Sequence, residues 1–330
     1  MTARMPTVCV GVPVWRGAEY VAETLESLLG QRGVALTVVV SVDGADETSV
    51  AVCRPFLADP GVTLVVQPRR LGWVGNSSAV LAEAASKGTD YACLQPSDDV
   101  LENDYLAELT AAAAANPAAA VVYSDIQGFG ADNTLIRQPT VAGSPFERQL
   151  RLLHEHFAAA PYRGLMRVST LRSIIPIAGN RYDDFAADTV WMARQALRGD
   201  LVRVPLVLYR KRYHATNTHT QWWGWSHKRR MAAWIVHCLD MLAVALQATV
   251  VPSERRMLHE AALGRVMHRA GWTNPKQNVA IGRLARIALA LRFEAGTIVH
   301  PGIGATMAGF RGGLHAMSTL WRLRRRARTR

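Results

Sequence analysis

Short runs of apolar and β-branched residues recur along the first third of the chain, at Thr7–Pro13, Leu36–Val42, Val62–Gln67 and Tyr91–Gln95. Such runs, bounded by turn residues, predict buried strands. Between the first two, Val21, Leu25, Leu28 and Leu29 fall at i, i+4, i+7 and i+8, which predicts a helix from about Ala18 that stops before Gly30 and Gly33. A second helix is expected near Asp46, a suitable N-cap, with Pro60-Gly61 closing its loop. A third is expected to open at Asn76-Ser77-Ser78 and to run through Leu81, Ala84 and Ala85 to Gly88; a fourth, Asp104 to Asn116, leads into the apolar run Ala118–Tyr123. Strands alternating with helices at this spacing predict an α/β fold. It is a Rossmann-like, mostly parallel sheet flanked by helices, with a binding crevice outside the carboxyl ends of the strands.

Beyond residue 125 the pattern is less regular. Gly128, Gly130 and Asp132-Asn133 mark a turn, Phe146–His156 and Asp188–Arg198 read as helices, and Leu201–Tyr209 reads as a strand. From Trp222 the chain turns strongly helical, so a catalytic-size domain is expected over residues 1–220 and a helical extension over 221–330. Met231–Thr249 is apolar enough to raise a membrane span, but Asp240 in its middle would be costly in lipid, so a packed helix is expected instead.

Apolar residues make up 49% and charged residues 19%, a balance that excludes wholesale disorder. The net charge of +12 is unevenly spread. From residue 261 onward there are 13 Lys+Arg and one acid, Glu294, so the first 260 residues hold 25 of each sign. A neutral body argues against a nucleic-acid partner. In the tail, Leu314, Met317, Leu320 and Trp321 recur at helical spacing before six arginines within Arg322–Arg330. That pairing fits a helix lying on an anionic membrane surface, a solvated tail being the alternative. Cys9, Cys53, Cys93 and Cys238 show no zinc-ligand spacing and read as packed, reduced thiols. With no secretory signal in view, the expected location is cytoplasmic, the tail meeting the inner face of the membrane.

Two strand-end acids change the picture. Asp43 follows Val38–Val42 directly, and Asp98-Asp99 follow Tyr91–Gln95 after Pro96-Ser97. Adjacent acids repel, and a hard divalent cation bridging a diphosphate would relieve them. Asx turns or helix caps are the plainer alternative.

These residues sit in an ordered set. Val8 to Gly17 with Tyr20, Glu23, Thr24, Ser27, Leu28 and Gln31, then Ser41-Val42-Asp43-Gly44-Ala45-Asp46-Glu47-Thr48, Arg70-Leu71-Gly72 with Asn76, Ser97-Asp98-Asp99 and Tyr123-Ser124-Asp125, resemble the family 2 glycosyltransferases. The likeness runs over about residues 5–220. It implies a GT-A fold and transfer of a sugar, with inversion, from a nucleotide-diphosphate donor, UDP-linked by preference, to a glycan or lipid-linked acceptor with Mn²⁺ or Mg²⁺. By the same resemblance Pro13, Val14, Trp15, Asp43, Arg70, Gly72, Asn76, Ser97 and Asp98 would hold the donor, with Asp43 on the base and Asp98 on the ribose. Asp99 and His214 would hold the metal. The acceptor-activating base would be Asp188, which has Arg194 six and Gly199 eleven residues on; Asp184, in the Asp183-Asp184 pair, is the alternative. Arg210, Lys211 and Arg212 would help on phosphate or form a solvated run, and Trp222, Trp223 and Trp225 would form an acceptor platform or pack the carboxyl-terminal helices. A pyrophosphorylase or dinucleotide oxidoreductase lacks its phosphate loop here, since no G-x-G-x-x-G follows the first strand. A non-catalytic scaffold targeted by its tail remains the other reading.

Overall fold

The computed structural model describes residues 4–154, 159–217 and 220–268. In chain order the elements are β1 (Thr7–Val14), α1 (Val21–Leu29), β2 (Ala35–Val42), α2 (Glu47–Cys53), β3 (Val62–Val66), α3 (Gly72–Ser86), β4 (Tyr91–Leu94), β5 (Val100–Leu101), α4 (Tyr105–Ala115), β6 (Ala119–Gly130) and β7 (Leu135–Ile136). There follow α5 (Pro145–His154), β8 (Leu165–Arg167), α6 (Val168–Leu171), α7 (Ala187–Arg198), β9 (Asp200–Tyr213), α8 (Thr220–Trp223), α9 (His227–Ala245) and α10 (Pro252–His268). One nine-stranded sheet runs β3-β2-β1-β4-β8-β6-β9-β5, with β7 beside β6. Strands β3, β2, β1 and β4 are mutually parallel. Strand β8 is antiparallel to both β4 and β6, and β9 runs parallel to β6. This is the mixed, mostly parallel sheet flanked by helices of the GT-A fold.

The sheet separates two apolar layers. Val8, Val10 and Val12 of β1 face Leu25 and Leu28 of α1 and Leu106 and Leu109 of α4. On the other side Cys9 and Ala92 pack with Leu81 and Ala84 of α3 and with Trp191 and Met192 of α7. Because β1 is covered on both faces, its sequence is a near-continuous apolar run rather than an alternation. All four cysteines are buried and free, and burial pushes the Cys9 thiol to about 12 and the Cys53 thiol to about 11, so neither is a nucleophile.

Two expectations need correction, and a third lies partly outside the described residues. Helix α3 starts at Gly72, four residues before the expected Asn76 cap. Its first amides are capped from outside the segment, as described below. Strand β9 continues past Tyr209 to Tyr213, held by pairing with Gln127–Gly130 of β6. Helix α5 ends at His154 among the described residues; the expected remainder of that helix, through His156, lies outside them.

Helices α9 and α10 pack against each other and onto α5 and α7. The segment His227–Ala248 is long and apolar enough to cross a membrane, yet half of it is buried within the fold. Asp240 is half-buried there, and burial pushes its carboxyl up. Trp222 and Trp225 pack on Phe185, their ring centroids 4.9 and 6.1 Å from it. The basic tail lies outside the described residues.

Candidate active site

The carboxyl ends of β1 and β2 form one wall of a crevice. Asp43, 1% exposed, receives the amides of Leu71 and Gly72 on its two oxygens at 2.6 and 2.9 Å, and its own amide donates to the Val14 carbonyl at 2.8 Å. A carboxylate at the first amides of α3 answers both the unpaired N–H groups and the helix dipole. Asp43 is thus held on both oxygens by the backbone at the start of α3. Asn76 is engaged as well. It is buried inside α3, donates to the Ser41 carbonyl at 2.9 Å and accepts from the Ser41 hydroxyl at 2.6 Å, so it clamps helix to sheet instead of facing a donor. The Val14 side chain lies wholly in the core. Pro13, Trp15, Arg70 and Gly72 are partly exposed along this wall, and the Arg70 guanidinium lies 4.4 Å over the Trp15 ring. Gly44 makes the turn possible: φ is +77°, and a Cβ there would lie 3.1 Å from the Arg70 nitrogen.

The β4 end supplies the second wall. The chain after β1 comes so close that a Cβ on Gly17 would lie 3.1 Å from the Ser97 hydroxyl. The two adjacent acids that follow Ser97 have different fates. Asp99, 1% exposed, accepts from Arg163 Nε at 3.0 Å and the Tyr209 hydroxyl at 2.8 Å on Oδ2, and from the Arg212 amide at 2.8 Å on Oδ1. Burial pushes its carboxyl up while Arg163 pulls against it. Asp99 is thus engaged on both oxygens by the fold.

Asp98 is the open one. Its Oδ2 lies 2.8 Å from His214 Nε2 and accepts from Asn217 Nδ2 at 3.0 Å, while among the described residues Oδ1 has no partner. His214 is held from both sides. Its Nδ1 is 2.8 Å from the Thr216 hydroxyl, and its ring lies 4.8 Å from that of Tyr20.

Asp188 lies in the first turn of α7. The loop before it bends through positive φ at Asp183, Asp184 and Ala186, backbone that non-glycine residues adopt at a cost of roughly 1–3 kcal/mol each. Asn180 organises that loop. Its amide donates to Asp184 Oδ1 at 2.8 Å, its carboxamide oxygen accepts from the Tyr182 amide, and its Nδ2 donates to the Phe185 carbonyl. Asp184 is therefore a loop clamp, and Asp183 is paired with Arg229 at 2.7 Å. Asp188 Oδ1 accepts from the Thr189 amide at 2.8 Å; its other oxygen accepts no hydrogen bond among the described residues. Burial pushes its carboxyl up, opposed by Thr189, Arg163 and Lys211.

The charges of Asp98, Asp99 and Asp188 all push the Tyr162 hydroxyl and the Lys211 ammonium up, against the opposing pull of Arg163. Arg163 belongs to the same cluster, its guanidinium 4.4 Å over the Tyr162 ring. No spacing signal marks Arg163, Tyr162 or Asn217 in the sequence.

The mostly parallel sheet in this strand order, with acids following the carboxyl ends of β2 and β4, defines the class: this is the architecture of GT-A sugar transferases. The chain belongs to glycosyl transferase family 2, whose sequence profile matches residues 9–174, half of the chain. Among solved structures it is similar to S. aureus TarS 1–349 in complex with UDP-GlcNAc, with a TM-score of 0.66, 13% identity, and coverage of 96% of this chain and 92% of that one. It is also similar to the mannosyltransferase PcManGT from Pyrobaculum calidifontis in complex with GDP-Man and Mn²⁺, with a TM-score of 0.52, 16% identity, and coverage of 95% and 88%. Against the longer TarS structure the chain spans 49% of that chain's length. At these identities the likeness is one of fold. No curated protein matches the chain.

Proposed function

We propose that this glycosyltransferase moves a sugar from a nucleotide-diphosphate donor, UDP-linked by preference, to an acceptor hydroxyl with inversion at C1. The observation that carries the reading is Asp188: a carboxylate with one oxygen unengaged among the described residues, its charged form favoured by Arg163 and Lys211. In the reaction its free oxygen takes the proton of the acceptor hydroxyl as that oxygen attacks C1 from the face opposite the diphosphate. The new C1–O bond forms as the old one breaks, and the diphosphate leaves with the bonding pair. Trp15 and Arg70 offer a flat, cationic wall for the nucleoside, a role that Asp43 supports by fixing the start of α3.

A divalent cation is tested by its donor set. Among the described residues no group of three or more His, Cys, Asp or Glu side chains converges, so a metal would take at most two ligands of these types and fill its shell with diphosphate, water or other oxygens. Asp98 and His214 fit that description: their ligand atoms are 2.8 Å apart, and Thr216 occupies the other ring nitrogen. Mixed carboxylate and imidazole donors suit Mn²⁺ better than Mg²⁺. When bound, the ion would offset charge on the departing diphosphate. The cationic segment Arg322–Arg330 supports a reading in which the acceptor is a glycan or a lipid-linked molecule at an anionic membrane surface.

The test is thermal. UDP or GDP at 100-fold over its Kd should stabilise the folded chain by about 2.7 kcal/mol, with the shift in melting temperature larger with Mn²⁺ than with EDTA. No shift with either nucleotide, metal present, overturns the reading.

A further inference from the structure

Strand alternation separates three cations that are consecutive in the chain. Arg210 and Arg212 both stack on the Phe129 ring, at 4.8 and 4.4 Å, and Arg212 is further tied to Glu23 and to the Asp98 carbonyl. Lys211 lies on the opposite face of β9, the face from which the Tyr209 hydroxyl reaches Asp99, and its ammonium sits 4.2 Å over the Tyr213 ring. Among the described residues it forms neither an ion pair nor a side-chain hydrogen bond. Of the acids that act on it, Asp99 is bonded by Arg163 and Asp98 Oδ2 by His214 and Asn217, while Asp98 and Asp188 each keep one oxygen without a hydrogen bond and neither pairs with Lys211 among the described residues.

A half-buried cation with no carboxylate of its own is unfavourable. Burial and the like charge of Arg163 bring the Lys211 ammonium down to about 8. Arg163 bonds Asp99 through Nε, and its two Nη groups meet no acceptor among the described residues. Two cations with donors to spare, Lys211 and Arg163, are suited to an anion that carries several charges.

We propose that Lys211 is an anion-binding residue that holds a phosphoryl oxygen of the donor's diphosphate. The assignment rests on the donor reading above and adds a protein cation to the leaving-group side, one that works with or without a metal.

The test is calorimetric binding of UDP, of GDP, and of uridine as the phosphate-free probe, to full-length wild type, Lys211→Met and Lys211→Arg, each in EDTA and in Mn²⁺. Loss of a charge-assisted hydrogen bond should weaken UDP binding by about ten- to a hundredfold in Lys211→Met, in EDTA as well as in Mn²⁺, with uridine affinity unchanged. Lys211→Arg should restore most of that loss. UDP binding equal in wild type and Lys211→Met would overturn the assignment, as would uridine binding that falls in parallel. A rise confined to acceptor KM, with nucleotide affinity intact, would move the lysine to the acceptor and overturn it too. Wild type that binds neither nucleotide would remove the donor reading itself, and the lysine with it.

Discussion

Asp188→Asn should lower kcat by about 10²–10⁴-fold while leaving nucleotide affinity near that of wild type. The asparagine keeps the shape and can still accept the Thr189 amide, but it has no basic oxygen for the acceptor proton. Burial raises the Asp188 carboxyl, so the folded protein disfavours the charged form and the base is lost to protonation at a pH above the ordinary carboxylate range. The acid limb of wild-type kcat should lie correspondingly high. The stability sign is opposite to the activity sign. A raised folded-state carboxyl contributes stability below its unfolded value, and that contribution is lost as pH rises through the folded one. Asp188→Asn should therefore be at least as stable as wild type at neutral pH. A steady-state assay across pH, run beside urea unfolding, checks both; unchanged kcat in a folded variant would remove Asp188 from the chemistry.

The second large effect separates two neighbours. Asp99→Ala leaves the buried Arg163 guanidinium and the Tyr209 hydroxyl without their acceptor, and breaking a buried pair in this way costs about 3–5 kcal/mol. Its urea midpoint should fall sharply. Asp98→Ala removes a partly exposed side chain whose partners, His214 and Asn217, retain each other and water. It should unfold close to wild type, while losing the Mn²⁺ enhancement of nucleotide binding. Reversal of the pattern, with Asp99→Ala stable but insensitive to metal, would return the ligand role to Asp99.

That contrast also marks the limit of what the sequence carries. Strands β1 to β4 are legible because each is a short apolar run between turn residues, and α1 because its apolar positions keep one period. The start of α3 is not. Asn76-Ser77-Ser78 has cap chemistry, but the cap that forms comes from Asp43, 28 residues before Leu71, and cross-chain capping leaves no local trace. Strand β8, at three residues, is too short to show a period, and Arg163 sits just before it on the 3-10 turn Ala160–Arg163, outside any motif. Adjacent acids such as Asp98 and Asp99 look alike in a motif. They separate only once β9 brings Tyr209 and the Arg212 amide to one of them and the chain after it brings His214 and Asn217 to the other. The resemblance gathered the candidate residues; three-dimensional packing separates those bonded by the fold from those that keep open polar atoms.

The central claim, sugar transfer from a nucleotide-diphosphate donor in this crevice, is tested most directly by nucleotide release from a panel of UDP- and GDP-sugars with Mn²⁺ and with EDTA. The account predicts that at least one donor yields free nucleoside diphosphate, faster with Mn²⁺ and abolished to within about 1% of wild type in Asp188→Asn. Absence of release from every donor by the folded wild-type protein, or release that Asp188→Asn leaves intact, would contradict it.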